Sequence, residues 1–452
     1  MADKKTRVSR TGERPAARRF YVVLLCVLAM IGLISCQKSE RSATTPESRT
    51  PKGEPLKEIP VQQAARPAAQ PQQAPITIEP YVAGEPAVRV AITKDAPVLR
   101  LSTSAAEARV FNAANQEIER VPRNTVLEIA SGPSGLVVNG TRINETQLRL
   151  ESLNPDVPLR FNDQDIAARL TLIRAKSATL TLVAHLPMEE YLAGVLAGEV
   201  PYDKWHSEAL KAQAITSRSF AFYQLRKNAG EPYDVESTVM SQVFKSGYKN
   251  NPVISSALAS TRGMILTSGG APFSAYFHST CGDHTDPSTL VFPDRPAARP
   301  FTPVTCGFCS GSPAYRWKVT LEKRVLQEKL SSQFTAKQQL TGVAFLDASG
   351  AAVGERTGPL RRVSNVYLKK NDGSTTQLSA NQFRLAAGPK ELKSMLLEQV
   401  VDRGATIEIS GGGFGHGAGL CQWGSQGMAL AGYNHLQILG KYYAGAGLTR
   451  IY

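Results

Sequence analysis

The chain has 452 residues and a mass of 48.8 kDa, with 42% hydrophobic and 20% charged residues. That is material for two or three folded units and excludes global disorder, while six cysteines exclude a disulfide-dense scaffold. The net charge of +14 suggests an anionic partner. Beyond residue 36, however, the basic residues are scattered, which points to a solubilising surface rather than a nucleic-acid groove and fits weak attraction to an anionic cell wall equally well.

The N-terminus reads as an address. Seven Lys and Arg within residues 1–36 precede the uncharged run FYVVLLCVLAMIGLIS, Phe20 to Ser35. The run is short for a membrane span and has the length and flanks of a signal-peptide core. It ends in Leu33-Ile34-Ser35-Cys36, similar to a bacterial lipobox, in which the cysteine thiol is lipidated and the chain is cut before it. The plainer alternative is an uncleaved anchor with Cys36 incidental. Either way the remainder lies outside the cytoplasmic membrane. Residues 37–78, rich in Pro, Gln and Ala (PVQQAARPAAQPQQAP), cannot bury enough surface to offset their entropy and are expected to form a disordered tether.

Residues 79–186 carry short alternating runs (VRVAI, PVLRL, NTVLEI, TLTLVAHL) punctuated by Gly, Pro, Asn and Asp, the pattern of a β-rich module. Asn139-Gly140-Thr141 matches a glycosylation triplet, but in an exported bacterial chain a polar turn is the better reading.

The pattern changes at Pro187. In MEEYLAGVLAGEVP, residues Met188, Leu192, Val195 and Glu199 fall on one face of a predicted helix that Pro201 stops. Glu199 therefore ends a helix on its apolar face. The dipole disfavours a carboxylate there and desolvation raises its pKa, so both effects favour the protonated state that a general acid needs. The plainer reading, to which the pattern alone leans, is a glutamate at a frayed end reaching water.

A second helix is predicted over SEALKAQAITSRSFAFYQLR, with Ser207 as its cap and Leu210, Ala214, Ser217 and Ala221 as a narrow packing stripe. Arg218 sits one residue beyond the stripe, placed to meet a buried carboxylate, a ligand or solvent. Next, His278-Ser279-Thr280-Cys281 and Cys306-Gly307-Phe308-Cys309 each have the two-residue gap of zinc knuckles. His278, Cys281, Cys306 and Cys309 would make a closed, structural zinc site, with His284 a competing ligand. The alternative is a Cys306–Cys309 disulfide, with Cys421 as a partner for the third thiol. The last module, GGGFGHGAGLCQWGSQGMALAG, Gly411 to Gly432, is neither a P-loop nor a dinucleotide site. His416, Gln422 and Trp423 suit a polar ligand with a flat face such as a sugar; for Trp423 the plainer reading, a structural turn packed by a buried Trp, is favoured, and for His416 the two readings balance.

LPMEEYLAGVLAGEVP, EALKAQAITSRSFAF, AYFHSTCGDHT and GFGHGAGLCQWGSQGMA, in that order, resemble the SpoIID/LytB family of stage II sporulation protein D and amidase enhancers. The resemblance covers roughly residues 87–452. It implies an α+β fold, with the β-rich N-terminal module followed by a helical/β catalytic region over 187–452 that carries a glycan-binding groove. It also implies a lytic transglycosylase acting on peptidoglycan glycan strands stripped of stem peptides. Glu199 falls on the family's catalytic acid. It would protonate the glycosidic oxygen between N-acetylmuramic acid and N-acetylglucosamine, then take the proton of the muramoyl 6-hydroxyl as a 1,6-anhydro ring closes. Arg218, His416 and Gln422 are the candidate substrate-binding residues. Some members carry zinc near the His-Ser-x-Cys segment; this sequence has Asp283 where a second glycine usually follows, and it adds the Cys306/Cys309 pair. The expected partners are glycan strands, a cell-wall N-acetylmuramoyl-L-alanine amidase and the membrane through a lipid anchor, with no nucleic acid. Two other readings are a non-catalytic glycan-binding amidase enhancer and, last, a zinc hydrolase, which a closed four-ligand site disfavours.

Overall fold

The computed structural model describes residues 84–238, 241–292 and 300–452. All described residues belong to one compact unit, Gln72–Tyr452. The expected signal peptide, the lipidation site Cys36 and the tether lie outside the described residues.

The fold is α+β, as expected, and its N-terminal part is β-rich. A seven-stranded sheet runs in the order Val235–Glu236, Ala87–Ala96, Leu180–Pro187, Arg169–Arg174, Gln147–Ser152, Ala108–Phe111, Glu117–Val121. A six-stranded sheet is built around Val98–Ser102 and Val126–Ser131. The two-residue alternation works as read. Val88 and Val90, Leu99 and Leu101, Leu148 and Leu150, Leu170 and Leu172, and Leu180 and Leu182 all enter one core. Asn139 and Gly140, at φ 47° and 82°, form the two-residue turn between Leu136–Val138 and Thr141–Ile143, so the triplet is a hairpin turn.

The helices are α1 (Met188–Glu199), α2 (Ser207–Lys227), α3 (Pro252–Ser260), α4 (Ser288–Val291), α5 (Lys323–Lys329), α6 (Ala380–Ala387), α7 (Gln422–Leu430) and α8 (His435–Tyr442). Among the described residues no helix is long and apolar enough to cross a membrane. Strand Leu180–Pro187 runs directly into α1, whose Met188, Tyr191, Leu192 and Val195 pack into the core of the β-rich module. The expected boundary between residues 186 and 187 thus falls at a strand–helix junction inside one continuous core. His206, rather than Ser207, is the N-cap of α2: its ring accepts the Glu208 N–H at 3.2 Å, and Ser207 is the first helical residue.

Residues 316–412 form a further sheet with its own core, which the sequence had merged into the catalytic region. Its order is Arg316–Glu322, Thr406–Gly412, Leu396–Asp402, Arg361–Lys370, Leu340–Asp347, and Thr375–Ser379 pairs with Arg361–Lys370. Trp317, Phe345, Val366, Leu368, Phe383 and Ile409 fill its interior. A third cluster packs Ala209, Ala212 and Ile215 of α2 against Phe273, Phe301, Leu420, Met428, Ile438 and Tyr442, with Cys281, Cys306, Cys309 and Cys421 among them. Leading into α7, Gly413, Gly415, Gly417 and Gly419 alternate at φ 83°, 109°, 91° and 74°, which is why the segment is so rich in glycine.

Candidate functional site

Glu199 is the last residue of α1 and is partly buried. Gly194 and Gly198, one turn apart on α1, let the segment 243–245 lie directly on the helix. A Cβ on Gly198 would strike the Val243 carbonyl, and one on Gly194 would strike the Phe244 ring and the Lys245 carbonyl. The Lys245 N–H donates to the Gly194 carbonyl at 3.1 Å. This seats the Val243 N–H 2.7 Å from Glu199 Oε1, to which it donates. The segment is pinned further by the Tyr191 hydroxyl donating to Gln242 Oε1 at 2.9 Å and by stacking of Tyr191 on Phe244.

Gln422, the first residue of α7, places its side chain against the Glu199 carboxyl. Its Nε2 is buried and makes no full hydrogen bond. Burial pushes the Glu199 carboxyl up to about 7, while the Val243 N–H and Gln422 pull in the opposite direction. The result is a carboxyl poised to hold or release a proton near neutrality, with one oxygen fixed. Half-buried aromatic rings lie on the adjoining segments: Trp205 meets Trp423 edge-on at 5.6 Å, and Tyr202 meets Tyr248 edge-on at 5.7 Å. The His206 N–H donates to Gln426 Oε1 at 2.9 Å and ties the start of α2 to α7. Trp423 is half-buried and packs against the third cluster, so the packing reading holds for it in large part.

The other two expected substrate contacts lie elsewhere than at the Glu199 carboxyl. Arg218 is fully buried. Its Nε and Nη2 donate to Glu189 at 3.0 and 2.7 Å, and its Nη1 donates to the carbonyls of Thr261 and Met264. It is a framework residue rather than a ligand contact, because every donor faces the protein. His416 accepts the Ala418 N–H at Nδ1, packs near the rings of Phe292, Tyr276 and His278, and is held neutral chiefly by burial. Gln422 is the candidate brought to Glu199.

The sulfur atoms of Cys281, Cys306, Cys309 and Cys421 lie within 4.8 Å of one another, and all four residues are buried, free thiols. Three of them were expected as ligands, and the fourth corrects the set: Cys421 stands where His278 was placed. His278 and Cys421 are paired neighbours on the short parallel strands Phe277–His278 and Leu420–Cys421. The His278 Nδ1–H donates to the Ala418 carbonyl at 3.1 Å, its Nε2 is buried without a partner, and neither nitrogen belongs to the sulfur cluster. His284, the competing ligand, is paired with Asp283 and Asp286.

The donor set fits zinc: four soft sulfurs, converging and closed. The sulfurs also have outer partners of the kind that stabilise thiolates. The backbone N–H groups of Cys281 and Gly424 donate to Cys421 Sγ at 3.2 and 3.3 Å, and the Tyr442 hydroxyl donates to Cys306 Sγ at 3.1 Å. The Cys306 thiol is pushed far down, first by its bond to Cys281. Cys421 also caps α7, so the cluster fixes the residue immediately before Gln422.

The family described as Stage II sporulation protein matches residues 176–268, which hold α1, α2, Glu199 and the Val243 segment. A second family, Domain of unknown function (DUF8618), matches residues 306–419 and encloses the separate sheet of residues 316–412. An uncharacterized protein of Brachyspira hyodysenteriae is 32% identical over 275 residues, 60% of this chain and 69% of that protein. Stage II sporulation protein D of Bacillus subtilis is 31% identical over 285 residues, 59% of this chain and 76% of that protein. The amidase enhancer of the same organism is 27% identical over 296 residues, 57% of this chain and 40% of that protein. The four motifs around Glu199 and the cysteines, and relatives of 32% and 31% identity matched over 69% and 76% of their own length, carry one conclusion: the chain belongs to the stage II sporulation protein D family.

Proposed function

We propose that the chain is a lytic transglycosylase that cleaves the bond between N-acetylmuramic acid and N-acetylglucosamine in peptide-free glycan strands, with Glu199 as its single acid–base group. Family membership supports a role at the cell wall. The observation that carries the finer reading is the Glu199 carboxyl raised to about 7 with Oε1 held by the Val243 N–H. Such a group is protonated often enough to give a proton and ionised often enough to take one. Oε2 gives its proton to the glycosidic oxygen as the bond from that oxygen to muramoyl C1 breaks. The muramoyl 6-hydroxyl oxygen then bonds to C1, and its proton returns to the carboxylate. Water takes no part, so no second carboxylate is needed. Half-buried Trp205, Trp423, Tyr202 and Tyr248 offer faces for sugar rings.

Zinc, bound by Cys281, Cys306, Cys309 and Cys421, would be structural and supply no reactive group. Cys421 and Gln422 then stand at the anchored start of α7, and Gln422 bears on Glu199. The relative named amidase enhancer supports partnership with a cell-wall amidase, whose product would be the substrate here. The lipobox supports an anchor at Cys36 and a location outside the cytoplasmic membrane; a mature N-terminal peptide beginning with unmodified Cys36, or with Met1, would oppose it.

The decisive experiment is incubation with purified peptide-free strands. Wild type is expected to release products with 1,6-anhydromuramoyl ends, lighter by one water than hydrolytic products. Glu199→Gln should bind the strands and lose cleavage by about 100-fold or more, the scale of a general acid. No cleavage by wild type together with stimulation of an added amidase would establish the enhancer reading instead.

A further inference from the structure

The separate sheet of residues 316–412 holds two buried arginines whose charge the described residues do not balance. Arg362, at the start of strand Arg361–Lys370, and Arg384, on α6, are 8% and 7% exposed. Together with Leu290, Asn381, Gly415 and His416 they line a cavity of about 20 Å³, room for one small group. Arg362 Nε donates to Asp286 Oδ2 at 2.6 Å, but its buried Nη2 has no partner. Arg384 is barer. Its buried Nε has no partner, and its other nitrogens reach the Lys393 carbonyl and Asn381 Oδ1 only at 3.5 and 3.4 Å.

Among the described residues no carboxylate pairs with Arg384. The single carboxylate on Arg362, Asp286, is shared with His284. The imidazole of His416 on the cavity wall adds no negative charge. The first turn of α6, with Ser379 and Asn381 on the cavity wall, adds its positive end. A buried guanidinium without a counter-charge is costly, and half-buried Asn381 and Leu290 stand beside it on the cavity wall. The arrangement asks for an anion.

We propose that this cavity binds a single carboxylate, and that its source is the lactyl ether of muramic acid on the glycan strand. The source rests on the reading of Glu199 as acting on peptidoglycan. The cavity is too small for a bulky headgroup, and guanidinium groups match a planar carboxylate. In a strand that still carries stem peptides the same carbon is an amide, neutral and substituted. Two arginines in a tight cavity would accept the free acid and reject the amide. Arg384 is thus a specificity residue for stripped strands. It is contributed by a part of the chain outside residues 176–268, the segment that the sporulation family matches. His416 on the cavity wall is six residues from Gln422, so the two lie at most about 21 Å apart, within one glycan strand's reach.

N-acetylmuramic acid and N-acetylglucosamine share a ring and differ by the lactyl carboxylate, so their binding to the full chain isolates the contact. Wild type should hold N-acetylmuramic acid about tenfold or more tighter, the scale of charge-assisted hydrogen bonds. The methyl ester should lose that advantage, and Arg384→Gln should abolish it. Removing an unbalanced buried charge should leave the melting temperature of Arg384→Gln at or above that of wild type, whereas a satisfied structural arginine would lower it. Equal binding of the two sugars, an advantage that survives in Arg384→Gln, or inorganic phosphate binding tighter than N-acetylmuramic acid would each overturn the assignment. Strand cleavage without any preference for the free acid sinks this inference alone. Preference for the acid without cleavage leaves it standing and removes the catalytic reading of Glu199.

Discussion

Replacing Glu199 by Gln should make the protein more stable in alkali while removing most of the cleavage proposed for it. The carboxyl ionises near 4.5 in an unfolded chain and near 7 in the fold, chiefly because the fold buries it. Between those values the folded state holds a proton that the unfolded state has released, so stability must fall as pH rises through that window. The contribution is fully present below about 4.5 and lost once the pH exceeds about 7. At about 1.36 kcal/mol per pH unit the loss approaches about 3 kcal/mol, and the partial exposure of the carboxyl reduces this to roughly 1–2 kcal/mol. Glutamine keeps the Oε1 acceptor for the Val243 N–H and cannot ionise, so it escapes the loss. The assay is a pair of urea unfolding series, wild type and Glu199→Gln, at pH 4, 6, 7 and 8.5; differencing the two cancels every other titration. The variant should match wild type at pH 4 and exceed it by about 1–2 kcal/mol at pH 8.5. A difference that is flat with pH, or that grows toward acid, would refute the burial argument whatever the activity data say.

Gly198→Ala puts a Cβ into the Val243 carbonyl, with Val243 Cγ1 3.1 Å away, so the segment must move off α1. It should cost about 1–3 kcal/mol and reduce strand cleavage by more than the unfolded fraction explains, as thermal melts and single-turnover assays on the same sample would show. Cys421→Ser should weaken zinc binding at least about tenfold and lower the melting temperature, whereas His278→Ala should leave metal content unchanged; elemental analysis of the two variants decides between Cys421 and His278 as the fourth ligand. Arg218→Met leaves Glu189 with only the Tyr452 hydroxyl and the Gly263 N–H as donors and should cost about 3 kcal/mol, yet the folded fraction should bind glycan as wild type does; weakened binding at full folding would restore Arg218 as a substrate contact.

Local periodicity made α1 legible, and with it the odd placement of Glu199, because Met188, Leu192 and Val195 mark the buried face without reference to the rest of the chain. The glutamate's environment was not legible in the same way. The donor to Oε1 is a backbone N–H at Val243, which leaves no trace in side-chain identity, and it comes from 44 residues away. Its sequence signal was the Gly194/Gly198 pair, which permits the close approach but does not say what approaches. The cysteines divide similarly. Cys306 and Cys309 announce themselves by spacing, but Cys421 joins from 140 residues beyond Cys281, and His278 imitates a ligand by spacing while its strand turns it to Ala418. The sheet of residues 316–412 stayed hidden because alternation marks its strands without saying which core they enter.

These long-range contacts have a chemical consequence. The proton affinity of Glu199 is set by three pieces of chain remote from one another: α1, which carries it; the Val243 segment, which fixes one oxygen; and the start of α7, where Gln422 leans on the carboxyl and Cys421 is held in the sulfur cluster. Val243 and Gln422 both lower the pKa, opposing burial. If either contact slackens, desolvation dominates and the acid moves upward, becoming a better proton donor in the first step and a poorer acceptor in the second. A reaction that uses one carboxyl twice needs the balance between them. On the proposed reading the sulfur cluster would bear on cleavage without touching substrate, because it anchors the helix end that supplies the smaller of the two opposing pulls. Zinc-depleted protein should accordingly show an alkaline shift of the pH–rate profile alongside its lower melting temperature, and an unshifted profile would confine the cluster to stability.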